Sequence, residues 1–253
     1  MAAMDEFKTE RELVKNAPFK KKLEYFWEYY KWQTMIGILV VLFICGYIHT
    51  IVTDTENVLM GIMINTYSTE DGVTDSLKEG YYEKYDIDSS KYDVVFDNTR
   101  TYSVSGKAGV STSNDEARSI ILSKTGSGQL DFMTGDLESM TDLAYSDLFV
   151  DLREILTEEQ LKEYEPYLLY IDKTIMDTIL EASANYEDIG DVAIPSCSEP
   201  EKMDDPVPVL IDMSSSDKFD EIYQYDVETL VFGATDGIPH VENTVKFIEY
   251  AME

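Results

Sequence analysis

Cysteine, histidine and tryptophan are nearly absent from this chain, with 2 of each among 253 residues. Cys45 falls inside an apolar run and Cys197 stands alone beyond it, so the segment after residue 52 can close no disulfide within itself. Its stability must come from a core, a habit more typical of domains exported by Gram-positive bacteria than of animal ectodomains. His240 is the one histidine beyond residue 52. That scarcity leaves no H-E-x-x-H motif and no Cys/His cluster with metal spacing, and no G-x-S-x-G elbow is present either. A serine–histidine hydrolase would have to rest on His240, which follows Pro239 at the expected start of the last helix and reads more simply as an exposed helix-start residue. Lys107 and Gly126-Ser127-Gly128 do not compose a phosphate-binding loop. Asp86-Ile87-Asp88 through Asp93 has part of a calcium-loop pattern, but Lys91 replaces the sixth-position glycine and Asp97 the closing glutamate, so it reads as a solvated turn. Carboxylates are too abundant for any pair to be specific. The expectation is a non-enzymatic chain without metal or cofactor.

Positive charge is the next scarcity. The chain has 20 Lys and Arg against 50 Asp and Glu, a formal net charge of −30. Before residue 53 lie 7 basic and 6 acidic residues, which leaves 13 and 44 beyond it, so the whole acidic excess belongs to residues 53–253. Such a surface repels nucleic acid and anionic lipid and favours cationic partners. About 200 residues of ordinary apolar content are enough for one or two folded domains.

There is one long hydrophobic run. Thr34 to Val52, TMIGILVVLFICGYIHTIV, contains no Asp, Glu, Lys or Arg. As a helix it would be roughly 28 Å long, close to the hydrocarbon thickness of a bilayer. Both tryptophans lie just before it. Trp27, Tyr29, Tyr30 and Trp32 have the amphipathic rings that settle at headgroup depth, and Lys15, Lys20, Lys21, Lys22 and Lys31 lie on the same side. The other flank, Thr53-Asp54-Thr55-Glu56, has no base, so the positive-inside bias expects a cytoplasmic N-terminus and an extracellular C-terminal domain at the cell membrane. Three other readings fit worse. A core helix does not explain the basic-aromatic flank, a cleaved signal would have an n-region of more than about thirty residues, and a lipoprotein site at Cys45 would carry bulky Ile44 where a small residue is usual. The expected organisation is a basic-aromatic interfacial segment over 1–33, a transmembrane helix over 34–52 that contacts the bilayer, and an extracytoplasmic domain over 53–253.

In that domain strands alternate with helices. Val58–Asn65 is a near-continuous apolar run that suits a strand buried on both faces. Val73, Leu77, Tyr81 and Tyr85 recur at helical spacing, with Gly80 weakening the helix, and Tyr92–Thr99 reads as a strand. Thr101–Gly109 reads as a hairpin or loop, Ser113–Thr125 as a helix and Leu130–Met133 as a short strand that turns at Thr134-Gly135-Asp136 into a further helix. Asp147–Leu152 returns to the core, Thr157 and Gln160 form a capping box, and Pro166 ends the helix it starts. Tyr167–Ala184 reads as one long helix, and residues 195–208, with four of the 7 prolines, as a loop or crossover. Val207–Met213 and Glu228–Ala234 read as strands, and Ser214–Asp217 as the cap of a short helix. Val241, Val245, Ile248 and Met252 mark one face of a terminal helix. The pattern predicts an α/β class with a mostly parallel sheet.

In such sheets ligands gather at the carboxyl ends of strands. Three polar ends result here: Asn65-Thr66-Tyr67, Asp97-Asn98-Thr99 and Thr134-Gly135-Asp136. The last adds a helix N-terminus able to hold an anionic or hydroxyl group, although Asp136 would equally cap that helix itself. The stretch QLDFMTGDLESMTDLAYSDLFVDLREILTEEQ resembles the corresponding part of type 2 extracellular solute-binding proteins of ABC importers, and the tail GIPHVENTVKFIEYAME is similar to their closing segment. The start FKKKLEYFWEYYKWQTMIGI resembles that of single-span proteins of clostridia. The resemblance covers about a quarter of the chain. It implies a periplasmic-binding-protein-like (type 2) domain with a reduced second lobe, which captures or senses a small solute in a cleft lined near Asn65, Asp97 and Asp136, with Tyr67, Asn98 and Thr134 beside them. The alternative it leaves open is an interaction subunit that keeps the fold, binds no ligand and docks to a membrane protein partner.

Overall fold

The computed structural model describes residues 18–53, 55–70, 72–104, 111–185, 192–223 and 227–253. Lys15, Asp54, Lys107 and residues 105–109 of the expected loop lie outside them, as do the side chains of Lys21 and Tyr29. The chain forms two units, divided between Asp54 and Thr55.

The described part of the first unit is one helix, α1, over Phe19–Thr53. At about 1.5 Å per residue its 35 residues extend roughly 52 Å. Within it Tyr30–Ile48 is long and apolar enough to cross a membrane, and none of it is buried against protein. Lys20, Lys22, Trp27, Tyr30, Lys31 and Trp32 all lie exposed on this helix, with Phe26 and Tyr30 stacked at 5.5 Å. A bare apolar helix is stable in lipid because its backbone groups satisfy one another.

The second unit is built on one six-stranded sheet. In chain order its elements are β1 (Glu56–Ile64), α2 (Asp75–Tyr85), β2 (Tyr92–Arg100), α3 (Ser111–Gly126), β3 (Phe132–Asp136), α4 (Leu137–Ala144), α5 (Leu152–Ile155), α6 (Glu158–Tyr164), β4 (Leu168–Asp172), α7 (Lys173–Asn185), β5 (Pro206–Asp212), α8 (Asp220–Tyr223), β6 (Leu230–Ala234) and α9 (Val241–Ala251). The strand order is β2-β1-β3-β6-β5-β4. β1 runs parallel to β2 and β3, while β3–β6, β6–β5 and β5–β4 are antiparallel. The sheet is therefore mixed, not mostly parallel. A parallel neighbour needs a crossover of a dozen or more residues, usually helical. Among the described residues between β5 and β6 the one α-helix is the four-residue α8, and between α7 and β5 the proline-rich segment carries the chain back along the sheet. The expected second lobe has no sheet of its own among the described residues, since every described strand belongs to this one sheet.

Alternation along β1 divides the core in two. Leu59 and Met63 face one cluster with Leu77, Tyr81 and Phe247, whereas Met60, Ile62 and Ile64 face another with Ile121, Met140 and Met176. Burial on both faces is why β1 reads as an unbroken apolar run. The first cluster centres on Phe132, stacked on Phe247 at 4.4 Å and on Phe232 at 5.1 Å. Gly61 makes this possible, because a Cβ there would strike the Phe132 ring. Gly80, a weak point in a helix, is placed where a Cβ would meet the Tyr250 hydroxyl, so helix propensity yields to the approach of α9.

Three local expectations change. Tyr167–Ala184 is not one helix: residues 165–167 form a 3-10 turn around Pro166, Leu168–Asp172 is β4, and the helix starts at Lys173. The four apolar residues Leu168–Ile171, which lead through Asp172 into a helix, have no period of their own to separate them. Thr134 and Gly135 lie within β3 and not in a turn after it. The docked face of α9 is Thr244, Phe247, Ile248 and Ala251, while Val241 is 43% exposed.

Candidate functional site

The three polar strand ends do come together, and they consume one another. Asn65 sits at φ 56°, a left-handed conformation that Asn tolerates better than most residues. There its Nδ2 donates to Tyr102 O and Asp136 Oδ2, both at 2.6 Å, and to Ser139 Oγ at 3.2 Å, while its Oδ1 accepts from Tyr102 N at 2.8 Å. Asp136 caps α4 by accepting from Ser139 N at 2.9 Å. Asn98 is buried and donates to Ser68 O, and Thr66 Oγ1 donates to Asn98 O. Asp97 accepts from Thr99 N, Thr99 Oγ1 and Arg100 Nε. Burial would raise its pKa, and these donors outweigh burial and lower it. Thr134 is fully buried and shares a 2.7 Å bond with the Tyr223 hydroxyl, whose pKa burial drives up. Tyr67 stands exposed, and its backbone N–H donates to Ile222 O.

A cavity of about 450 Å³ lies elsewhere in this unit, and none of those six residues lines it. Its floor is Phe149, Ile171, Met176, Val207 and Val209, all buried. Its rim carries Asp147, Asp151, Arg153, Glu154, Lys173, Asp205 and Asp236. The topology explains the position. β4 and β6 run opposite to β1 and β3, so their carboxyl ends open at the other edge of the sheet, where Ile171, Lys173 and Asp236 meet the start of β5. Phe149 is held there by its bridge to Thr235, and Asp236 N donates to Leu148 O.

The two rim cations have partners. Arg153 Nε contacts both Asp151 oxygens at 2.9 Å, and Lys173 Nζ lies 3.7 Å from Asp177. Asp147, Glu154, Asp205 and Asp236 are different: no hydrogen bond or ion pair joins any of these side chains to another described residue, and all four are exposed. Asp147 takes the left-handed conformation at φ 57°. Burial first, and then the neighbouring Asp236, push its pKa up, against the attraction of Lys173.

Two buried carboxylates brace the same end of the sheet. Asp172 accepts from Thr174 N at 3.0 Å and Asp204 N at 2.8 Å, which caps α7 and pins the turn into β5. Burial would raise its pKa, and the backbone donors of Asp204, Asp205, Thr174 and Ile175 outweigh it. Asp131, with no exposed surface, accepts from Met60 N and His240 N and lies 3.0 Å from His240 Nδ1. His240 is thus more than an exposed helix-start residue: it fastens the start of α9 to β3.

Asp147, Asp205 and Asp236 do not stand out in the sequence, because a mostly parallel sheet would open all its strand ends on one side. The signal was present in the Asp236-Gly237 pair that closes β6, but only the strand direction shows which edge it faces. No family model, curated protein or solved structure matches this chain.

Proposed function

We propose that this chain is a membrane-tethered domain that captures or senses a small solute outside the cell. α1 would be its single-pass anchor, with the lysine-rich N-terminus in the cytoplasm. The observation that carries the reading is the cavity at the carboxyl ends of β4 and β6, with its apolar floor and four rim carboxylates that have no hydrogen bond or ion pair among the described residues. Its volume falls within the range of small-molecule sites. The resemblance to type 2 solute-binding proteins adds support through two features: the Gly135-Asp136 strand end that caps a helix, and the docked terminal helix. The binding role moves from Asn65, Asp97 and Asp136 to the opposite edge of the sheet. Thermal unfolding of the full-length chain in lipid nanodiscs, against sugars, amino acids, short peptides, polyamines and calcium, tests it. A ligand at about 100 times its dissociation constant adds about 2.7 kcal/mol and raises the midpoint by a few degrees. A rise with one chemical class supports solute capture.

The second reading is a docking subunit of a membrane complex, without ligand or enzymatic activity. It is favoured by the mutual satisfaction of the polar strand ends, which leaves Asn65 and Asp136 engaged within the fold. A cooperative transition that no solute moves, together with a salt-sensitive partner recovered by crosslinking to the acidic domain, would favour it over solute capture.

A further inference from the structure

We propose that the cavity takes a small organic cation, an aliphatic amine whose carbon chain lies on the apolar floor and whose ammonium groups meet Asp147, Asp205, Asp236 and Glu154. The inference rests on the solute-capture reading and names its ligand class.

Four observations select this chemistry. The rim has five carboxylates against two cations, and the two cations already face Asp151 and Asp177, so an anionic solute would meet net repulsion. No tyrosine or tryptophan among the described residues lines the cavity and the one aromatic of them that does, Phe149, is 95% covered, so they offer no open ring on which a sugar could stack. Among the described residues no group of three or more His, Cys, Asp or Glu converges closely enough to hold a metal ion. The carboxylates are instead spread around an opening, which suits separated charges on one flexible molecule better than a single divalent ion that needs six or more oxygens at one point. Lastly, the floor residues are themselves buried and leave only a small apolar patch between the charged groups, which suits a short methylene stem with strongly hydrated heads better than a large apolar body.

The test is calorimetric titration of the full-length chain, in nanodiscs of zwitterionic lipid, with 1,5-diaminopentane. We expect saturable binding at one site per chain, weaker binding of 1-aminopentane, and no binding of glutarate. Each neutralisation of an exposed rim carboxylate should cost roughly fivefold in affinity, so the pair Asp147→Asn and Asp205→Asn should lower it about 25-fold. Asn is chosen at 147 because it tolerates the left-handed backbone there. The control pair, Glu79→Gln and Glu83→Gln, removes the same charge from the exposed side of α2 and should leave affinity unchanged. Equal loss in both pairs would reduce the binding to a diffuse ionic effect and overturn the proposal, as would equal affinity in wild type and the rim pair. Displacement of the diamine by an equimolar amount of calcium would overturn it in favour of a metal. If the diamine fails while another solute slows amide exchange at Phe149–Asp151 and Val207–Val209, the amine assignment falls and solute capture stands. If no solute in the panel slows exchange there, both fall.

Discussion

The two edges of this sheet use their polar side chains in opposite ways. At the carboxyl ends of β1 and β3, Asn65 and Asp136 bond to each other across 71 residues of sequence, and Tyr102 and Ser139 complete their shell. At the carboxyl ends of β4 and β6, Asp147, Asp205 and Asp236 surround an opening and have no such partners among the described residues. A buried polar group must be paired or it costs free energy, so the closed network is what folding alone requires. Like charges held together at an opening gain nothing for the fold. That difference, and not the number of polar residues, separates structure from a candidate site.

The largest expected effect tests whether pairing defines the structural carboxylates even at the open edge. Asp131 lies there, fully buried beneath backbone donors from β1 and α9. Asp131→Ala strands the N–H groups of Met60 and His240 and should cost about 3–5 kcal/mol, read as a lower midpoint in urea unfolding. His240→Ala keeps both backbone bonds and should cost much less. Equal losses would mean that the ring, and not the backbone donors, is what Asp131 serves.

Next comes the closed edge. Asn65→Ala removes the donor to Asp136 and Tyr102 O, leaves Tyr102 N without its acceptor, and puts a Cβ-bearing residue without a polar side chain at φ 56°. The cost should be about 3 kcal/mol. Asn65→Gly relieves the backbone strain but does not restore the lost bonds, so it should recover only about 1 kcal/mol. Full recovery would mean that the network contributes little and that the two edges differ less than their geometry suggests.

Most of the fold was legible where one physical rule acts alone. β1 was visible because both its faces are buried, α6 because Thr157 and Gln160 cap it reciprocally, and α1 because no charge interrupts its apolar run. β4 was not visible. Leu168–Ile171 runs directly into the apolar positions of the helix that follows, and what separates the two is Asp172, whose role as a buried cap depends on backbone from Asp204, 32 residues away. The site was hidden for a related reason. The rule that ligands meet strand carboxyl ends holds here only after strand direction is known, and direction was set by the short α8 connection and by the proline-rich return from α7, neither of which has a periodicity. The pairing of Asn65 with Asp136 was equally out of reach, since any of the 50 acidic residues could have been its partner.

Acid separates the two kinds of carboxylate more gently. Asp172 and Asp97 have pKa values lowered by their donors. A depressed folded value stabilises the protein above the unfolded pKa of about 3.9, and that stability is lost as pH falls through the folded value. Asp147 has the opposite shift. Its raised folded value favours the fold below the unfolded pKa, and that advantage is lost as pH rises through the folded value. A scan of unfolding midpoint from pH 7 downward should therefore rise slightly as Asp147 takes up its proton, then fall below about pH 4 as Asp172 and Asp97 are protonated and their donors lose a charged acceptor. In Asp147→Asn the first segment should flatten and the acid limb should remain.

The smallest effect is the most discriminating. Asp147→Asn at neutral pH removes a charge that burial and Asp236 both disfavour, and Asn keeps the left-handed backbone. The side chain is exposed, so solvent screening reduces the gain to a few tenths of a kcal/mol, but its sign should be stabilising. Most substitutions destabilise. A change that strengthens the fold while weakening diamine binding is the pattern of a residue kept for binding at some expense of stability. If Asp147→Asn instead weakens the fold, Asp147 has a structural partner, and the open edge becomes a second closed one.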